Sequence, residues 1–296
     1  MPRPDAPDAD RPLRGGERPV VGLVQRRAPF TAGLDPFRTE FLAGLEAEVT
    51  RSGGDVLLQL VADRDAELAC LERWARLGGV RGVVIMDVVQ DDPRLPLLEA
   101  LGTPTVVLGH ADGPAGAAHV EVDDAAAMRT AVQALVDLGH RSVGRVAGPA
   151  ELWHTRARTE AFDGTLAALG ATGRSLDGDY TTQRGREATQ ELLTAGADRP
   201  TAVVYDNDAM ALGGLEAAAE LGLVVPDDVS LLAWDDSPPC QLAEPALSVV
   251  GRDVPALGAA AGRALLDLLA GGAPATVVAG AARVVTRATT AAPARR

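Results

Sequence analysis

The chain has 296 residues, is 47% hydrophobic and carries a formal net charge of −13 at pH 7. Its 28 basic side chains are all arginine, which excludes chemistry that needs a lysine on a phosphate, a pyridoxal cofactor or a kinase strand. The acidic balance opposes nonspecific attraction to nucleic acid, and no apolar run approaches the ~20 residues that span a bilayer.

Residues 1–18, rich in Pro, Asp and Arg, read as a disordered leader without an apolar export signal, so a cytoplasmic location is expected. From Val20 onward, short β-branched runs alternate with segments of helical period. Val20–Val24 reads as a strand. Asp35-Pro36 reads as a helix cap, with Phe37, Phe41, Leu45 and Val49 at helical spacing behind it. Strands follow at Val56–Leu60, Gly82–Met86 and Thr105–Leu108, with helices at Ala66–Leu77 and Leu95–Leu101 between them.

The rhythm then repeats. Helices are predicted at Asp124–Leu138, Thr155–Leu169, Glu187–Thr194, Ala209–Leu221 and Val254–Leu269. Strands are predicted at Ser142–Ala147, Thr201–Tyr205, Ser230–Trp234, Ser248–Val250, Thr276–Val278 and Val284–Arg287. Strands separated by helices imply parallel sheets covered on both faces, and there are too many for one modest sheet. The expected fold is therefore α/β, with two consecutive doubly wound lobes.

Enzyme chemistry is not visible in this pattern. The four histidines, His110, His119, His140 and His154, lack metalloprotease spacing, and no glycine loop has a dinucleotide fingerprint. Two cysteines, Cys70 and Cys240, build neither a disulfide scaffold nor a four-thiolate zinc site. Neither a cofactor nor a metal is expected. The acidic pairs are commoner at turns and helix caps than in acid–base pairs. Pro226-Asp227-Asp228 reads as such a turn.

Binding chemistry is better placed. Asp206-Asn207 and Asp235-Asp236 fall just past predicted strands, and Trp153, Arg156 and Arg158 follow a third. Carboxylate, amide and guanidinium groups at strand ends can each make paired hydrogen bonds to vicinal hydroxyls, while an aromatic face covers the C–H side of a polyol. Packing for Trp153 and a solvated face for Arg158 are the plainer alternatives.

Several segments together resemble the LacI/GalR transcription regulators. They are Tyr205-Asp-Asn-Asp-Ala-Met-Ala-Leu-Gly213, Glu220-Leu-Gly-Leu-Val-Val-Pro-Asp-Asp-Val-Ser230, Leu231-Leu-Ala-Trp-Asp-Asp236 and Pro245-Ala-Leu-Ser-Val249. Asp123-Asp124, Leu138-Gly-His-Arg141, Arg158-Thr-Glu-Ala-Phe162 and Asp35-Pro-Phe37 extend the likeness from about Val20 to Thr290. The resemblance implies two Rossmann-like lobes joined by a three-strand hinge, as in type I periplasmic binding proteins. On that template the first lobe takes 19–140 with 252–272, the second takes 141–251 with 273–290, and 291–296 is a frayed tail.

The resemblance carries effector contacts onto Arg158, Asn207 and Asp235, with Phe37 and Asp123 contributing from or near the first lobe's side of the interlobe cleft; Trp153 joins them as a candidate contact from its place past a strand end. Departures fall at Ala161, Trp234, Ser248-Val249, Arg252 and the second carboxylate of Asp123-Asp124. The expected function is the sensing and dimerising core of a LacI-type regulator. It would bind a sugar, related polyol or nucleoside as effector, form a homodimer and bind no membrane. Operator DNA would be bound only through a helix-turn-helix headpiece, for which about twenty residues before the first strand are too few. The alternatives are a stand-alone sugar-binding protein of the transport-receptor type and, ranked third, an enzyme.

Overall fold

The computed structural model describes residues 18–26, 35–109 and 116–294. The expected leader, apart from Arg18, lies outside them, as do His110 and the last two residues of the expected tail. In chain order the first elements are β1 (Val20–Arg26), α1 (Pro36–Arg51), β2 (Asp55–Val61), α2 (Arg64–Leu77), β3 (Gly82–Ile85), α3 (Arg94–Ala100), β4 (Thr105–Leu108) and β5 (Ala118–Glu121). Then come α4 (Asp124–Asp137), β6 (Ser142–Ala147), α5 (Trp153–Ala168), β7 (Thr172–Asp177), α6 (Thr182–Leu193), β8 (Ala202–Tyr205) and α7 (Asp208–Glu220). The chain closes with β9 (Ser230–Trp234), α8 (Pro238–Leu242), β10 (Ser248–Gly251), α9 (Val254–Leu269), β11 (Thr276–Val278) and β12 (Arg283–Val285).

These elements divide into two compact units. The first runs to Val122 and takes in Val254–Ala279; the second is Asp123–Asp253 with the chain from Gly280 onward. The first sheet has the order β11-β5-β4-β3-β1-β2 and is parallel throughout. The second has the order β12-β10-β9-β8-β6-β7, parallel except where β12 runs against β10. In each the order reverses at the first strand of the unit, which creates a switch point where ligands of open α/β sheets gather.

Burial explains the strand sequences. β3, β8, β9 and β10 are covered on both faces and buried at every residue, so they read as continuous apolar runs. β7 is an edge strand of sequence TGRSLD, mostly exposed, and its Arg and Asp blunt the open edge. That composition hid it from the sequence pattern, and β5, only four residues long, was missed too. Asp35 caps α1 as expected: its carboxylate accepts the Arg38 backbone N–H, with Pro36 in the first turn. Phe41, Leu45 and Val49 then pack on Val21, Val84 and, from α9, Leu257, Ala261 and Leu265.

The expected lobe boundaries are corrected in two places. Helix α4 belongs to the second unit, because Met128, Val132 and Leu135 share a core with Phe162, Leu166 and Trp234. The first crossing therefore falls at Val122–Asp123 and not near His140. Strand β11 pairs with β5 and so belongs to the first unit, which moves the third crossing to Ala279–Gly280. The chain passes from the second unit back to the first at Asp253–Val254.

Thr289 and the first tail residue, Ala291, are held as well. Thr289 donates through its hydroxyl to the Leu231 carbonyl and its own carbonyl accepts the Leu231 N–H, while the Ala291 carbonyl faces His140 Nε2 at 3.0 Å. Burial lowers the His140 pKa against the opposing pull of that carbonyl. Helix α6 starts five residues before the expected Glu187 because Gly185 interrupts the apolar period. A Cβ at Gly185 would run into the Met210 backbone, and one at Gly213 into the Thr182 carbonyl, so both glycines let α6 and α7 lie close.

Candidate effector site on the second unit

At the carboxyl edge of the second sheet, charges alternate along a continuous chain of arginines and aspartates. Arg145, inside β6, is fully buried and forks onto Asp206 after β8, with Nε–Oδ1 at 2.9 Å and Nη2–Oδ2 at 2.6 Å. The Gly148 backbone N–H donates to the same carboxylate at 3.0 Å, so both of its oxygens are used. An arginine in a buried parallel strand demands such a partner, since an unpaired buried charge costs several kcal/mol.

Arg158, on α5, is the next link. Its Nε and Nη2 donate to Asp124 Oδ1 at 2.9 and 2.6 Å, and its Nη1 donates to the Asp206 carbonyl at 3.0 Å. Its guanidinium lies 4.0 Å from the centroid of the Trp234 ring. Burial opposes both charges of the Arg158–Asp124 pair, but mutual attraction outweighs it. The Asp124 carboxyl is held below the usual range by Arg158, Arg252 and His154, and the Arg158 pKa is raised by Asp124 and Asp206. The buried Trp234 Nε1–H has no acceptor among the described residues.

Arg252, just past β10, is the third arginine. Its Nε and Nη2 fork onto the Asp235 carboxylate at 2.8 and 3.3 Å, and its Nη1 lies 3.7 Å from Asp124 Oδ1. Asp235 follows β9 in a left-handed backbone conformation, φ +67°, which aspartate adopts at modest cost and which turns the chain sharply at the strand end. Its neighbour Asp236 is taken up by Arg287 at 2.6 and 2.8 Å.

The expected site residues divide accordingly. Arg158 and Asp235 sit in this network. Asn207 is beside it, with its amide employed locally: Oδ1 accepts the Met210 N–H as the cap of α7, and Nδ2 donates to the Tyr180 carbonyl. Trp153 opens α5 and lies under the Arg156 guanidinium at 5.5 Å. Asp123 caps α4 through the Ala126 N–H and its side chain is 60% exposed; its neighbour Asp124 is the carboxylate in the network. Phe37 belongs to the first unit, where it stacks on Phe41 with centroids 6.3 Å apart and packs on the core.

Arg145, Asp124 and Arg252 were not singled out as contacts from sequence, although an arginine in an apolar strand was a readable signal. At the carboxyl edge of the first sheet, Arg38 makes a comparable cluster. Its Nε donates to Gln25 Oε1 at 2.7 Å, and it pairs with Asp35 and Asp87. Among the described residues, no group of three or more His, Cys, Asp or Glu could hold a metal. No helix among them is long and apolar enough to cross a membrane.

Comparison with known proteins agrees with this architecture. The family model described as a periplasmic binding protein-like domain matches residues 132–290. The HTH-type transcriptional regulator MalR of Streptomyces coelicolor is 36% identical over 281 residues, covering 91% of this chain and 74% of that protein. A LacI family transcriptional regulator from Bifidobacterium animalis subsp. lactis superposes with a TM-score of 0.85 at 32% identity, over 93% of this chain and 98% of that one. A complex of the transcriptional regulator CelR with cellobiose superposes with a TM-score of 0.84 at 26% identity, over 92% and 85% of the two chains. These relatives are transcriptional regulators and not enzymes, and the chain belongs to the LacI family, whose effector-binding part it spans.

Proposed function

We propose that the chain is the effector-sensing and dimerising core of a LacI-type regulator acting in the cytoplasm. It binds a small sugar or related polyol at the carboxyl edge of the second sheet and passes the bound state to operator binding by a helix-turn-helix segment. The observation that carries this reading is the run of alternating carboxylates and guanidiniums from Arg145 to Asp235, backed by Trp234. At the less enclosed end of that run, the Arg158 guanidinium and the Asp235 carboxylate match the paired hydroxyls of a sugar, while the enclosed Arg145–Asp206 pair and Trp234 hold them in place.

Arg158 and Asp235 are the principal contacts in this reading, with Asp124 positioning Arg158. Asn207 and Trp153 border the ligand; Asp123 caps α4, and Phe37 packs on the core of the first unit. The likeness to a cellobiose-bound regulator supports a neutral sugar over a nucleoside. An effector acts by binding one state of the regulator better than the other.

A thermal-shift panel of mono- and disaccharides and nucleosides tests this. A ligand that binds only the folded state adds about 2.7 kcal/mol at a hundred times its dissociation constant. At least one neutral sugar is expected to raise the melting temperature; a flat response across the panel, or a response to nucleosides alone, contradicts the proposal.

A further inference from the structure

We propose that Arg252 is a specificity-determining latch that occupies Asp235 in the ligand-free protein and must be displaced by an uncharged polyol effector. This rests on the effector site proposed above. Three arginine–aspartate pairs make up the network, and they differ in how easily they can open. The Arg145 and Asp206 side chains are both 0% exposed, Arg158 and Asp124 are 3% and 7% exposed, and Arg252 and Asp235 are 12% and 14% exposed. Breaking a fully buried pair costs several kcal/mol, and the cost falls as water gains access, which makes Arg252–Asp235 the easiest of the three to open. Only the Arg252–Asp235 pair is built to exchange.

The exchange also has somewhere to go. When a ligand hydroxyl pair takes the Asp235 carboxylate, the guanidinium keeps Asp124 Oδ1, already 3.7 Å from its Nη1, as a landing partner. The charge stays balanced, three arginines against three aspartates, so a neutral ligand replaces the latch without leaving a net buried charge. An anionic ligand would add an uncompensated charge beside Asp235 and Asp124. Arg252 also lies one residue before the chain leaves the second unit at Asp253–Val254, so its release acts on the segment that joins the units.

A latch lowers apparent affinity by the fraction of molecules in which it is open. The test is isothermal titration of wild type, R252Q and R252K with cellobiose, maltose, ribose and adenosine. R252Q is expected to bind the responding sugar about tenfold more tightly, or to reveal binding that wild type masks; R252K, which keeps the charge but loses the fork, falls between.

Equal or weaker binding by R252Q, with wild type still responding, overturns the latch and leaves the sugar site standing. No response by any of the three proteins overturns both. If R252Q fails to fold, R252K decides: it keeps the charge but loses the fork, so it must still bind the responding sugar more tightly than wild type, and equal or weaker binding overturns the latch.

Discussion

Replacing Asp206 by asparagine tests whether the charge network holds the second unit together. The Asp206 carboxylate accepts two hydrogen bonds from Arg145 and one from the Gly148 N–H, and both side chains of the pair are fully enclosed. Asparagine keeps the shape but cancels the charge, leaving the buried Arg145 guanidinium uncompensated and depriving Arg158 of a carboxylate 4.0 Å away. Removing one partner of a buried pair costs about 3–5 kcal/mol.

With a urea slope of about 1–3 kcal/mol/M, the midpoint of the second unit should fall by more than 1 M. Because two units need not unfold together, the transition must be followed by a probe within the second, and in a Trp74→Phe background Trp153 and Trp234 supply one. The double substitution R145M/D206L removes both charges and should recover much of the loss. A D206N midpoint within about 0.3 M of wild type would refute the reasoning, because the enclosed pair would then contribute nothing that asparagine cannot replace.

Other perturbations separate roles that look alike. Asp123→Ala removes the α4 cap and should cost about 1 kcal/mol in urea unfolding while leaving effector affinity unchanged; a large affinity loss would contradict its role as a cap. Gly164→Ala and Gly213→Ala differ in sign. A Cβ at Gly164 meets open space, so that variant should gain about 0.5–1 kcal/mol, whereas at Gly213 the clash with α6 should outweigh the gain and destabilise by about 1 kcal/mol or more.

Two pH effects share one sign. The depressed Asp124 pKa adds stability that is complete above the unfolded carboxylate range near pH 4 and is lost as pH falls through the folded value, so the stability gap between wild type and D124N should narrow on acidification. His140, also depressed, favours the neutral ring, so its contribution is full above about pH 6.5 and lost below. An imidazole midpoint above 6.5 by NMR would contradict the burial seen beside Ala291.

The two-lobe α/β plan was legible because it depends on local alternation. Buried strands such as Ser230–Trp234 read as apolar runs, and Asp35-Pro36 advertises a cap through two residues alone. What escaped depends on pairing across long stretches of sequence. Arg145 and Asp206 are 61 positions apart, and Arg158 and Asp124 are 34 apart, so neither partnership is visible in any local window.

Asp123 and Asp124 show how one position changes a role. At the start of a helix the cap residue stays outside while the next turns inward, and the sequence could not say which carboxylate was which. The unit to which α4 belongs was likewise hidden, because its apolar stripe of Met128, Val132 and Leu135 would suit either core equally well by pattern. Edge strand β7 lacked a signal for the opposite reason, since exposure removes the pressure for an apolar run.

The most direct test of the account is calorimetric titration of a responding neutral sugar into wild type and Asp235→Asn. The account predicts one site per chain in wild type. It also predicts a loss of about 10- to 150-fold in affinity for the variant, corresponding to the 1.5–3 kcal/mol of a hydrogen bond to a charged group, without a matching fall in unfolding midpoint. Unchanged affinity in Asp235→Asn, with the protein folded, would contradict the placement of the effector at the carboxyl edge of the second sheet.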